Sequence, residues 1–224
     1  MKKILKYLMT VLLWLLFSIP VITLAASTVA MHFVNFKLVK DDSIDVFHEF
    51  VKSFKQNLIQ SVSVLVILGG LGALVALLWR NALSAKGDLG MLIYSIVIII
   101  SLLFLAFEMF CTYLLAKFDN STGRLMLLTV YALARHLDKG IKIACLEALA
   151  IAVPVGVFVL KPAIYVHGIA VVLTIVVLVI YEMVSAKNVI PVFDELIKNR
   201  QNALDEMTQE KPEQSDLEQN NTEE

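Results

Sequence analysis

A chain of 224 residues that is 58% hydrophobic, 17% charged and has a mean hydropathy of +0.78 is too apolar for a soluble domain, which is about half apolar and a quarter charged. Its net charge of -1 gives no reason to expect a nucleic-acid partner. Cys111 and Cys145 both lie in apolar runs without CxxC or Cys/His spacing, which excludes a disulfide framework and a cysteine metal site.

A helix needs about 20 apolar residues to cross a bilayer, and five runs qualify: 7–34, 58–79, 89–116, 143–160 and 162–181. The first, second and fifth are uncharged, the third carries Glu108 and the fourth carries Glu147. Backbone in hydrocarbon must satisfy its own hydrogen bonds, so runs of this length are helices. The expected fold class is all-α: a polytopic membrane helix bundle of about five transmembrane helices plus amphipathic interfacial connector helices. One transmembrane domain is expected over 1–200 and a disordered acidic tail over 201–224.

The first run follows Lys2, Lys3 and Lys6 and contains Leu24-Ala25-Ala26, which mimics a signal peptide with a small-residue cleavage site. The run continues well past that site and four more follow, so a retained helix kinked at Pro20 is expected. Its length favours a full crossing, whereas a break at Pro20 would make it re-entrant and place the three lysines on the same side as segment 35–57.

Asp42 is placed to cap a helix over 42–57 whose apolar positions are Val46, Phe47, Phe50, Val51 and Phe54. That helix is expected along the interface, with Phe47, Phe50 and Phe54 inward and Lys52 and Lys55 toward headgroups or a partner. Gly69-Gly70-Leu71-Gly72 in the second run suits close helix approach, and residues 81–88 form a tight connector. Phe118-Asp119-Asn120-Ser121-Thr122 ends the third run and opens a connector helix over 122–139 bearing Arg124, Arg135 and Lys139. In the fourth run Ala144, Ala148, Ala152 and Gly156 recur every four residues, a small-residue stripe expected to pack against another helix. Lys161-Pro162 makes a short turn, and Pro191 opens a helix over 192–199. Beyond Gln201 there are eight acidic residues, one lysine and almost no large apolar side chain, the composition of disorder.

Thirteen of the nineteen Lys and Arg residues fall in segments 35–57, 117–142 and after 181, and three fall in the two opposite loops. The positive-inside rule makes the former face cytoplasmic, so a multi-pass membrane protein with a cytoplasmic C-terminus is expected. Alternation also brings Glu108, Glu147 and Glu182 toward this basic face. A buried acid needs a cation, so an ionic cluster with Lys52, Lys55, Arg124 or Arg135 is expected, locking the connectors onto the bundle.

The blocks Leu13-Trp14-Leu15-Leu16, Ser18-Ile19-Pro20-Val21-Ile22-Thr23, Ala26-Ser27-Thr28, Lys37-Leu38-Val39-Lys40 and Phe50-Val51-Lys52-Ser53-Phe54-Lys55-Gln56-Asn57 resemble the YesL-like family of small bacterial integral membrane proteins, a domain of unknown function. Lys117-Phe118-Asp119-Asn120-Ser121 and Pro191-Val192-Phe193-Asp194 are similar to later features of that family. Leu24-Ala25 stands where the family pattern leads one to expect Ile-Gly. The resemblance implies a companion of bacterial carbohydrate ABC-type uptake systems, with a permease or ATPase as partner beside the lipid bilayer. It implies no catalytic residue.

The chain has no HExxH, GxSxG, P-loop or Asp-rich metal motif, so no cofactor is expected and the protein is read as non-catalytic, an accessory or scaffold. The alternative is a small transporter or channel using Glu108, since an acid in hydrocarbon is costly and usually has a role. Residues 89–107 already span about 28 Å as helix, so Glu108 also fits the membrane edge. The four histidines, His32, His48, His136 and His167, are scattered, and His32 and His167 read as structural or interfacial.

Overall fold

The computed structural model describes residues 2–118, 121–159 and 164–220. These form seven α-helices and no strand: α1 Lys2–Phe17, α2 Leu24–Lys40, α3 Val46–Ser84, α4 Gly87–Lys117, α5 Thr122–Arg135, α6 Leu137–Val159 and α7 Ile164–Asn220. The expected all-α bundle is what the chain adopts. Two compact units divide it at Asn188/Val189, twelve residues before the boundary expected from composition.

Among the described residues four segments are long and apolar enough to cross a membrane: Val21–Lys40, Val46–Ser84, Gly87–Lys117 and Val171–Asn199. The fourth expected span, 143–160, runs through α6 to Val159; Leu160, Pro162 and Ala163 lie outside the described residues, as do the Lys161-Pro162 turn and the Asp119-Asn120 part of the third-run ending.

The first run is neither one crossing nor a kinked helix. α1 stops at Phe17, a 3-10 turn occupies Val21–Thr23, and α2 returns. The residue before proline disfavours α conformation and Pro20 has no N–H to donate, so the helix ends. Thr23 repairs the break: its hydroxyl donates to the carbonyls of Phe17 (2.6 Å) and Pro20 (2.7 Å). Ser18 Oγ meets Ser27 Oγ at 2.6 Å, and Trp14 Nε1 donates to Thr28 Oγ1 at 3.0 Å. At the open end Lys6 Nζ donates to the carbonyls of Asp42 (2.6 Å) and Ile44 (2.8 Å), and Lys3 pairs with the Asp42 carboxylate at 2.7 Å. Residues 3 and 42 therefore sit together, and α1–α2 is a helical hairpin whose two ends share one face. Its tip, Ile19, Val21 and Ile22, is apolar and exposed.

α2 is the most enclosed span and packs against α1, α3 and α4. Tyr7 and Val11 of α1, Val34 and Leu38 of α2, and Phe50 of α3 form the core with Val179 of α7. Phe17 stacks edge-on to Phe54 with ring centroids 5.0 Å apart, tying the hairpin to α3.

The expected interfacial helix is instead the first turns of the 39-residue α3. Asp45, not Asp42, caps it, accepting from the His48 N–H at 3.1 Å. Asp42 is engaged by Lys3 and Lys6, while the Ser43 N–H and hydroxyl donate to Asp41 and hold its carboxyl below the usual range. Phe50 is buried and Phe54 half-buried, but Phe47 is exposed, because helical spacing from Phe50 selects Val46 instead. Lys37 of α2 pairs with Glu49 of α3 at 2.7 Å.

α3 and α4 are joined through Ala85-Lys86, where Gly87 adopts a φ of +70°. Beyond the core the two pair with broad exposed apolar faces, latched where Trp79 Nε1 donates to Ser101 Oγ at 2.8 Å. Of the glycine group, a Cβ on Gly72 would touch Phe104 at 3.4 Å, whereas Gly69 and Gly70 face open space.

The connector helix α5 ends at Arg135, not 139, and α6 begins at Leu137. In α7 the helix runs through Pro191 without a new start and reaches Asn220. The backbone of the tail for which composition predicts disorder is thus helical to that point; its Glu, Gln, Leu and Met are strong helix formers even where nothing apolar must be buried.

Candidate functional site

α2, α4, α6 and α7 each contribute polar side chains to one interior cluster. From α2 come His32 and Asn35, three residues apart and so on one face, both buried. From α4 come Glu108 and Tyr113, from α6 Glu147, and from α7 Tyr181 and Glu182. Glu182 is 2% exposed; its Oε2 accepts from Asn35 Nδ2 at 2.7 Å and lies 3.4 Å from His32 Nδ1. The His32 ring stacks on Tyr113 with centroids 3.7 Å apart, and the buried Tyr113 hydroxyl approaches Glu182 without closing a hydrogen bond. Glu108 and Glu147 lie within hydrogen-bonding reach of one another, and the Tyr181 hydroxyl reaches Glu147. An ionised carboxylate only accepts, so a hydrogen bond between Glu108 and Glu147 holds one proton between them.

His32, Glu108, Glu147, Tyr181 and Glu182 of this cluster form one end of a cavity of about 420 Å³. Its other walls are apolar and aromatic, including Trp14, Met31, Leu68, Phe104 and Leu178, with Thr28 and Thr112 beside them. The volume is that of a small-molecule pocket, about 300–1,000 Å³. Two polar atoms in its lining residues have no hydrogen-bond partner: His32 Nδ1 and Glu147 Oε2. Among the described residues no group of three His, Cys, Asp or Glu side chains has a geometry suited to a metal ion.

Glu108, Glu147 and Glu182 do converge as alternation requires, but the expected bases do not join them. Lys52, Lys55, Arg124 and Arg135 are all exposed, and no ion pair between described residues links the three acids to a lysine or arginine. Glu108 stands nine residues inside the α4 end at Lys117, about 14 Å along the helix. A cation drawn there would have to leave water, so the acids take His32, Asn35, Tyr181 and each other. Ion pairs found on the basic face include Lys3–Asp42 and Lys37–Glu49. Glu108 accordingly lines the interior cavity.

His32 and Asn35 were readable as a polar pair on an apolar face. Asn35 and Lys37, however, end the uncharged run, which puts His32 near a helix end; α2 in fact continues to Lys40. In the small-residue stripe Ala144 is buried and Ala148 half-buried, while Ala152 is exposed and a Cβ on Gly156 would meet nothing within 4 Å. Gly140, Ile143 and Ala150 are the other buried residues of α6 among those described, so the packed face is turned from the stripe beyond its first turn.

A family model described as a protein of unknown function, DUF624, matches residues 7–78, which is the hairpin and most of α3. No curated protein and no solved structure matches.

Proposed function

We propose that this chain is a small membrane transporter whose solute site is the acid-lined cavity, with the Glu108–Glu147 pair as its proton-carrying element. The observation that supports it is the convergence of three carboxyls, from three different helices, on one cavity inside a bundle of apolar helices. Ionisable groups at membrane depth are costly and mark solute or proton paths. A structural role alone would be served by a paired or apolar core, whereas Glu147 keeps an oxygen without a partner. The test uses the full chain in proteoliposomes carrying an internal pH-sensitive dye. Organic cations, sugars and carboxylates are added in turn under an imposed pH gradient. Solute-dependent proton movement that is lost in Glu108→Gln, with the variant still monodisperse, supports the reading. Absence of coupled movement for every class overturns it.

The accessory reading, with the YesL-like relationship and a sugar-uptake permease or ATPase as partner, draws support from the exposed Lys52, Lys55 and Arg124 on the basic face. Stable co-purification of such a complex from the native membrane, lost when these bases are neutralised, favours that reading over transport. In either reading the membrane is the bacterial plasma membrane with the basic face cytoplasmic.

A further inference from the structure

We propose that the cavity takes a monovalent organic cation with an apolar body, and that this cation displaces the proton shared by Glu108 and Glu147. The inference rests on the solute-site reading above and names its substrate class. Charge decides the sign. Three carboxyls line the cavity and no lysine or arginine does, so an anion is repelled. Glu182 already has Asn35 and His32 as partners, which leaves the Glu108–Glu147 pair for the ligand. Two carboxyls holding one proton carry one negative charge, and exchanging that proton for a single positive charge leaves the charge of the site unchanged. His32, 3% exposed, lines the cavity beside the pair with its Nδ1 3.4 Å from Glu182.

The remaining walls decide the body. Trp14, Phe104, Leu65, Leu68 and Leu178 suit apolar or aromatic substituents, and Trp14 and Phe104 add rings to which a cation is attracted. A sugar would leave most of its hydroxyls against these walls without partners, at a cost for each. The titratable groups facing the pair are His32 from α2, Cys111 and Tyr113 from α4, and Tyr181 and Glu182 from α7, with Tyr7 of α1 behind Glu182; α3 offers only Leu65 and Leu68. The proton exchanged is that of the carboxyl pair, and it leaves to water.

Calorimetry on the full chain in nanodiscs tests this with tetraphenylphosphonium and tetraphenylborate, ions of nearly equal shape and opposite charge, after subtraction of empty-nanodisc heats. The phosphonium is expected to bind saturably one to one and the borate not. Its Kd is expected to rise about tenfold for each pH unit lowered, one proton being exchanged for one cation. Glu108→Gln and Glu147→Gln should each weaken it at least about tenfold, and Lys52→Gln should leave it unchanged. Equal borate binding, pH-independent phosphonium binding, or folded glutamine variants that bind like the parent each overturn the proposal. The wild-type comparisons hold even if a variant fails to fold. Phosphonium binding without coupled transport removes the transport reading and leaves the cation site; coupled transport of a neutral or anionic solute without phosphonium binding does the reverse.

Discussion

Thr23 carries a task out of proportion to its size. A hairpin tip in hydrocarbon has no water to satisfy the carbonyls that end α1, and one hydroxyl serves both Phe17 and Pro20. Thr23→Val keeps the shape and removes the donor, so it is expected to lower stability by about 1–3 kcal/mol. Thr23→Ser should retain most of it, and thermal unfolding in one fixed detergent measures both. Single positions on α6 separate by the same logic of local surroundings. Ala144 is fully buried, so Ala144→Leu should overpack and cost about 1–3 kcal/mol. Ala152 is exposed, and Ala152→Leu should stay within about 0.5 kcal/mol. Equal losses at both sites in the same melt would mean that another chain covers the outer part of the stripe.

At the scale of elements, the hairpin is where sequence reasoning had two answers. Apolar periodicity is identical for a helix that crosses and for two that fold back, because lipid surrounds either. Pro20 distinguishes a break from a kink only together with its partners, and these lie far along the chain: Ser18 finds Ser27, Trp14 finds Thr28, and Lys3 and Lys6 find the α2–α3 turn. The long apolar runs of α3 and α4 were legible because nothing but membrane helix fits them. The meeting of Glu108, Glu147 and Glu182 was legible for a topological reason, since antiparallel spans must return them to one depth. Their partners were not, because His32 falls at the right depth only when α2 extends to Lys40. The hairpin makes a direct prediction. In a background of Cys111→Ser and Cys145→Ser, single cysteines at Lys3 and at Lys52 should react with an impermeant maleimide from the same side of sealed vesicles. Labelling from opposite sides would restore a full crossing and remove the hairpin.

For the whole molecule, folding back of α1 changes the charge balance between the two faces. By sequence segment, Lys2, Lys3 and Lys6 then count with 35–57, 117–142 and the residues after 181, for sixteen of nineteen Lys and Arg against three. That bias acts through short segments close to the helix ends, and the basic groups of the α2–α3 turn and of α5 lie within that reach. The same face lies nearest the acid end of the cavity, since His32 precedes the α2 end by eight residues and Glu108 precedes the α4 end by nine. Protons would thus enter the carboxyl pair from the side of the bases, while the apolar part of the cavity extends toward the hairpin tip at Leu24 and Ala25. Orientation fixes the direction of any coupled exchange, and it is open to a fusion test. An alkaline phosphatase domain inserted at Lys86, in the connector opposite the basic face, is expected to be active in intact cells. A fluorescent protein fused after Asn188 is expected to glow if the basic face is the cytoplasmic one proposed above. The reverse pattern would invert the molecule, placing the acid end of the cavity toward the outside and making the cation the species that meets the carboxyl pair from there.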